Sequence, residues 1–524
     1  MAYDILIKGG TVLDGSGGEP VIADVGITGD TIQDIGVLER DGAKTTINAD
    51  GCYVTPGFID ITNHSDTHLA LFLSPNLESM VMQGVTTIIG GNCGASLAPL
   101  ASHTAIHAID KWADTSKINT NWTTMAEFLE EMERVRPGVN FGTLVGYGTL
   151  RRGIIGNEIR LFNPEEREVA RNLLAESIRA GAFGLSLGLA YGHERVSDTE
   201  EIIDIVRVLR ETGGVVKIHL RSEGREMFSA INEAIRISRE TEVSVQISHL
   251  KAIGKKSWGQ IDQAVEVITR AQESGVPIHF DISPYATTGS LLYLLIPAWA
   301  RQGGFPELFR RLDAPDERQK ILTELQMLTL HYDRIFITSG IIPNIIGKTI
   351  IRIARETGLE PAETLLSIVR SNAGRVSIIG RTVSKKNAVR AIMDPRSIIT
   401  SDGESYTQED EKVGNLVHPR SFGAFPHFWH SFVTDSKKLT PANAIRKMTT
   451  FPAQKLGIAN RGRIGKGAKA DVVVFDKKLF RDRATYRSPF HYPAGLSWVI
   501  INGRVAVGEG RHMSARAGVP LRRG

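Results

Sequence analysis

The sequence predicts an α/β protein: a (β/α)8 barrel carrying a small β-sandwich built from both ends of the chain. Three observations carry this expectation. Eight short apolar runs alternate with amphipathic helical stretches through the middle of the chain. Turn-punctuated β-rich runs occur near both ends, neither set long enough for a core of its own. The 524 residues exceed the size at which one core stops growing, so one large domain plus a smaller one is expected.

The N-terminal runs are Ile5–Lys8, Ala23–Ile27, Thr31–Ile35 and Thr45–Asn48, separated by Gly and Asp turns. Asp471–Phe475 and Trp498–Ile501 look the same, with Gly465, Gly467 and Asn502-Gly503 supplying turns. Paired, these runs assign the sandwich to residues 1–55 and 451–524. The barrel, residues 56–450, takes its strands from Phe58–Ile61, Val85–Gly90, Phe141–Gly146, Gly184–Leu189, Val215–Leu220, Ser244–Ser248, Ile278–Ile282 and Ser397–Thr400. Helical periodicity fills the intervals, clearest at Glu165–Ala180, Thr199–Glu211, Arg225–Glu240 and Gln260–Ser274. The interval between strands seven and eight is longer than one crossover needs, and its Leu, Trp and Phe content argues against disorder. A lid insertion is expected there, at about residues 286–345.

Composition narrows the function classes. Hydrophobic content of 42% and charged content of 23% are ordinary for a soluble globular chain. The net charge of +4 is spread without basic blocks, so no nucleic-acid partner is expected. The Arg-rich tail, Arg511 to Arg523, reads as a solvated or frayed terminus. The start, M-A-Y-D-I-L-I-K-G-G, lacks the charged and apolar regions of a secretory signal. No apolar run approaches the ~20 residues that span a bilayer, so a cytoplasmic protein without a membrane partner is expected. Two cysteines, Cys52 and Cys93, are too few for a disulfide framework and suit a reducing compartment.

In a (β/α)8 barrel the active site lies at the C-terminal ends of the strands, so the polar residues standing there are the candidates. His64 follows strand one; Asn92 and Cys93 follow strand two in G-G-N-C-G; Tyr191 follows strand four. His219 and Glu223 lie at strand five, His249 and Lys251 at strand six, Asp281, Ser283 and Tyr285 at strand seven, and Asp402 at strand eight. Cys93, His219 and His249 make a set of one thiolate and two imidazoles, which with a water gives the four-coordinate open site of a catalytic zinc. Such ligands favour zinc over magnesium or calcium. Asp402 is the natural general base, able to take a proton from water and return it to a leaving nitrogen. Lys251, Arg375, Tyr191 and Tyr285 are candidate anchors for an anionic substrate group, with Ser283 beside them. Asp60 and Asp281 are candidates for orienting ligands. His103, His107, His331, His418 and His491 are left as surface or supporting residues.

Several stretches resemble one branch of the amidohydrolase superfamily, the D-aminoacylases (N-acyl-D-amino-acid deacylases). They are P-G-F-I-D from Pro56, Q-G-V-T-T-I-I-G-G-N-C-G from Gln83, H-L-R-S-E-G from His219, I-S-H-L-K from Ile247, T-S-D-G from Thr400, H-P-R-S-F-G-A-F-P from His418 and K-M-T-T-F-P-A-Q-K-L-G from Lys447. The resemblance runs through nearly the whole chain. It implies a distorted barrel, a sandwich from both termini, a mobile insertion over the site and hydrolysis of a small-molecule N-acyl-D-amino acid. It also implies one tightly held zinc at Cys93, His219 and His249, with Asp402 as catalytic acid and base. The family's second, weaker metal uses two first-strand histidines; Thr62 stands in the first of those places and is a poor replacement for imidazole. His64 is therefore expected to orient water or substrate, with metal ligation its lesser role. Two other readings remain open: a hydrolase of cyclic amides or other N-acyl compounds, and a scaffold that has lost catalysis. The sequence leaves the oligomeric state undetermined.

Overall fold

The computed structural model describes residues 3–39, 43–328 and 330–523. Its centre is a series of eight parallel strands taken in chain order. They are Phe58–Asp60, Val85–Gly90, Asn140–Thr143 continued as Val145–Gly146, Gly184–Gly188, Val215–His219, Ser244–Ile247, Ile278–Ile282 and Ser397–Ile399. Each pairs with the next, from Phe58 opposite Val85 to Phe280 opposite Ser397. Nearly every strand residue is buried, because helices cover the outer faces and side chains fill the inner one.

Strand eight is tied back to strand one. Asp402 N–H donates to Thr62 O at 3.0 Å, and Thr62 N–H donates to Thr400 Oγ1 at 3.0 Å. Buried Asp60 accepts from Ser401 N–H at 3.0 Å and from the hydroxyls of Thr400 and Ser401. Asp60 therefore joins two strand ends.

The helices begin where local chemistry starts them. Asn163 and Glu166 form a capping box on Pro164–Arg179, and Thr124 and Glu127 form another on Met125–Val135. The stretch expected as one helix, Thr199–Glu211, is two: Thr199–Val206 and Val208–Thr212.

Strands from both ends of the chain join in a single nine-stranded sheet. Its central pairing sets Val472–Asp476 antiparallel to Cys52–Pro56, and Cys52–Pro56 lies parallel to Ile5–Val12. Alternation divides its faces: Ile7, Val25, Val54, Val472 and Ile500 close a cluster of their own, whereas Val473, Phe475, Val499 and Ile501 face the main core. The C-terminal tail is docked and not frayed. Gly518 N–H donates to Pro137 O, Leu521 N–H to Phe141 O and Arg523 N–H to Gly181 O, each at 2.7–2.9 Å. Backbone pairing with the series holds it despite its charge.

Between strands seven and eight lie three antiparallel strands, Thr288–Leu291, Ser377–Gly380 and Ile335–Ser339, in that spatial order. Helices Gly304–Asp313, Pro315–Met327, Ile350–Thr357 and Pro361–Ser371 accompany them. Leu292, Ile321, Leu325, Ile337, Leu365 and Val369 bury one another in a separate cluster, which also touches Cys93 and Tyr191. No helix among the described residues is long and apolar enough to cross a membrane.

Candidate metal centre

Three strand ends deliver the metal-binding candidates. The ligand atoms of Cys93, His219 and His249 all lie within 4.8 Å of one another, and all three residues are buried. Cys93 Sγ is 3.5 Å from His249 Nε2, and the two imidazoles meet edge to face with centroids 4.6 Å apart. His219 Nδ1 is buried with no hydrogen-bond partner, which a ligating or water-bridged nitrogen explains.

The backbone at this centre is unusual. Cys93, His249 and Asp402 adopt φ of 54°, 39° and 55°, a left-handed conformation that disfavours residues with a Cβ and gathers at functional sites. The turn after strand two depends on Gly91 (φ 71°), where an added Cβ would lie 2.1 Å from Leu144 O. Gly91 N–H donates to Asp66 Oδ2 at 2.5 Å, and Gly94 N–H donates to Ser186 Oγ at 3.1 Å.

Supporting groups orient the rings. Glu223 Oε1 lies 3.1 Å from His249 Nδ1 and 2.6 Å from Lys251 Nζ, and Lys251 Nζ stands 2.8 Å from the same Nδ1, so the two side chains hold the ring with Nε2 toward Cys93. Asp281 Oδ1 accepts from His249 N–H at 2.7 Å and from Thr62 Oγ1 at 3.1 Å.

Electrostatics follow from these contacts. Burial pushes the Cys93 thiol up, but hydrogen bonds from His219, His249 and His64 outweigh it and hold the thiol well below its usual range. Burial also opposes the Asp402 carboxylate. Arg420, His249 and His64 overcome that cost and keep it ionised, well below the ordinary carboxylate range. Arg420 Nη1 donates to Asp402 Oδ2, and His64 Nε2 stands 3.4 Å from Oδ1. His64 is raised to about 10, since Asp402 and Cys93 favour its cation more than burial opposes it.

The donor set fits zinc: one thiolate favoured in its charged form and two imidazoles, buried, with the Sγ and ring nitrogens converging. His64, Cys93, His219, His249, Lys251, Tyr191 and Asp402 line one cavity of about 380 Å³. Ser283 and Tyr285 line a smaller hollow beside it, which shares His249, Lys251, Asp402 and Arg420. Tyr285 stacks on His427 at 4.4 Å, and its hydroxyl is buried without a partner. Arg375 is not brought to the cavity. It is exposed ahead of strand Ser377–Gly380, whose Ser377, Ile378 and Ile379 reach the lining instead.

Four contributors went unrecognised in the sequence. Arg420 stood inside the quoted H-P-R-S-F-G motif, and that motif was the available signal. His418 lines the cavity although it reads as a supporting residue. Lys217, in V-V-K-I-H, is a charged residue at an inward position of a buried strand. Trp112 lies on the cavity wall, 5.9 Å from the His64 ring, and nothing in its local sequence marks it.

The Amidohydrolase family model matches residues 398–507. An N-acyl-D-glutamate deacylase of Alcaligenes xylosoxydans xylosoxydans is 32% identical over 99% of this chain and 96% of its own length. The chain belongs to the N-acyl-D-amino-acid deacylase family of amidohydrolases. Within that family, a D-aminoacylase of the same organism is 30% identical over 99% of this chain and 98% of its own length. A D-aminoacylase structure described for its binuclear metal centre superposes with a TM-score of 0.85 at 29% identity, covering 99% of this chain and all of that one. The N-acyl-D-glutamate deacylase of Bordetella bronchiseptica, complexed with zinc and a phosphonate mimic of the tetrahedral intermediate, gives 0.83 at 27% identity over both full chains. A D-hydantoinase at 16% identity, with a TM-score of 0.57 and 99% of each chain covered, shares the amidohydrolase fold.

Proposed function

We propose that this deacylase-family chain hydrolyses the amide bond of N-acyl-D-amino acids, releasing a D-amino acid and a carboxylate. One observation carries the reading: Cys93, His219, His249 and Asp402 converge on one cavity in a chain 32% identical along its length to an N-acyl-D-glutamate deacylase. Cys93, His219 and His249 are the residues that would hold a zinc ion. When bound, zinc supplies Lewis acidity, polarising an acyl carbonyl and lowering the pKa of water.

The chain's own groups do the rest. Asp402 Oδ2 is engaged by Arg420, so Oδ1 is the oxygen that accepts the proton of the attacking water and returns it to the leaving nitrogen. His64 Nε2, 3.4 Å from that oxygen, orients it. Lys251 offers its ammonium to the substrate carboxylate, with Tyr191, Ser283 and Tyr285 on the adjoining walls. Arg375 is exposed and not itself part of the lining, whereas Arg420 lines both hollows, so Arg420 is the better second cation in this role.

Around this site we read residues 56–450 as a distorted (β/α)8 barrel and residues 1–55 with 451–524 as the sandwich. Parallel pairing in chain order and the Asp402–Thr62 tie support the first; the shared nine-stranded sheet supports the second. The lid reading suits the inserted strands, and their sheet extends it to Gly380. A cytoplasmic location suits two free thiols.

Zinc-restored protein should hydrolyse members of a panel of N-acetyl-D-amino acids and spare their L-enantiomers. Chelation should abolish turnover and added zinc restore it. Inactivity toward every D-compound, or full activity without metal, overturns the reading.

A further inference from the structure

A second cavity, of about 890 Å³, adjoins the metal-binding cluster. His219, Glu223, Ser290, Leu294 and Ile378 line both this cavity and the one that holds Asp402, so the two share a wall. The loops after strands five and six contribute residues 221–226 and 253–254 to it. The insertion contributes the opposite wall, which is apolar: Leu294, Leu295, Ile296, Pro297, Met327 and Leu328. Met327 and Leu328 remain 57% and 39% exposed there, and apolar side chains gathered at an open cavity mark a binding surface. The charged groups within it are engaged by the protein itself. Arg221 pairs with Glu233 and Glu223 with Lys251; Arg301 donates to Ile296 O and Ala190 O, Arg195 to Arg221 O, and Glu324 accepts from Trp299 Nε1. Arg225, Glu226 and Lys320 are exposed, so their charges can stay in water.

We propose that this cavity takes a linear fatty-acyl chain, so that the substrates include N-acyl-D-amino acids with medium or long acyl groups and not acetylated ones alone. The inference rests on the proposed function, and the connectivity of the substrate selects the occupant. The acyl chain is bonded to the scissile carbonyl carbon, whereas the carboxylate and the side chain are bonded to Cα, beyond the nitrogen. Lys251 and Arg420, the cations offered to the carboxylate, line the metal-site cavity and the hollow beside it but not this cavity; His219 lines it. With the carboxylate at those cations and the carbonyl at Cys93, His219 and His249, the group that extends past His219 is the acyl chain. A volume of this size matches the ~300–1,000 Å³ of ordinary small-molecule sites and exceeds what an acetyl group fills. An acetyl group leaves the insertion's apolar wall in contact with water, and a run of methylenes covers it.

For the zinc-loaded protein and one accepted D-amino acid, kcat/KM should rise from the N-acetyl through the N-butanoyl to the N-octanoyl compound. The gain should be about two- to fourfold per methylene and fall mainly on KM, because the chain is held equally in ground and transition states. A flat or falling series overturns the inference. Ala298→Trp fills the cavity and should lower the ratio of octanoyl to acetyl turnover. Met327→Asp, at an exposed position that accommodates a charge without unfolding, should lower it in the same direction. An unchanged ratio in the folded variants overturns the inference. So does a gain on lengthening the side chain from D-alanine to D-norleucine that Ala298→Trp removes, since the cavity would then hold the side chain. Calorimetric titration with decanoate reads the site without turnover, and Ala298→Trp should weaken its binding. Binding of decanoate in this way, with no turnover of any N-acyl-D-amino acid, would sink the proposed function and leave an apolar chain site. Turnover of the acetyl compound without decanoate binding would sink this inference alone.

Discussion

Asp402 is held from two sides, and the two contacts do different work. Arg420 Nη1 on Oδ2 keeps the carboxyl ionised, whereas His64 Nε2, 3.4 Å from Oδ1, aims the oxygen that moves the proton. Substituting Asp402→Asn should leave zinc bound and lower kcat by about 10²–10⁴-fold, the usual worth of a general base; zinc analysis and steady-state kinetics check it together. Arg420→Met should act through pH. Burial raises the Asp402 pKa and Arg420 leads the groups that lower it, so without the guanidinium the pKa rises. The acidic limb of kcat/KM against pH should then move to higher pH, while the zinc content stays unchanged. An unmoved limb would mean that a different group sets it. The candidate residues themselves were legible because Cys, His and Asp followed apolar runs. Their partners were not: Lys217 and Thr62 meet across 155 residues, and no local spacing reports such a pair.

At the scale of elements, the turn after strand two decides where Cys93 stands. Its glycines let the backbone pass against Leu144 and Asp66, and Cys93 itself takes a left-handed φ. Gly91→Ala would put a Cβ into Leu144 O and should destabilise the fold by about 1–3 kcal/mol. It should also loosen zinc retention during dialysis, whereas a merely structural cost would lower the melting temperature alone. All eight strands of the series were legible from apolar runs between turns, since a strand buried on both faces is mostly apolar. Cys52–Pro56 was not legible as a strand of the terminal sheet, because a five-residue run closing on proline lacks that signature. The strands of the insertion escape for a related reason: they are short and embedded among helices, and their antiparallel pairing is set by the cluster around Leu292 and Ile337.

At the scale of the molecule, buried Asp471 joins the terminal sheet to the parallel series. It receives Arg461 Nη1, Asn140 Nδ2 at 3.1 Å from the start of strand three, and Asn502 N–H at 2.9 Å. Arg461→Met removes the countercharge from a nearly inaccessible carboxylate and should cost about 3–5 kcal/mol, read as a lower urea midpoint with the m-value retained. Loss of far less would place the weight of that junction on the two amide contacts.

Residue order alone determined the alternation of strands and helices, the pairing of chain ends into one β-rich unit, and the types of side chain standing at the strand ends. These are consequences of burial and turn chemistry acting over a few residues, which repeat in one dimension. Tertiary structure decided which of those side chains meet. It set Arg420 on Asp402, buried Lys217 beneath the metal-binding cluster and left Arg375 in solvent. A buried charge persists only where distant segments bring it a partner, and that partnership exists only once the chain has closed on itself.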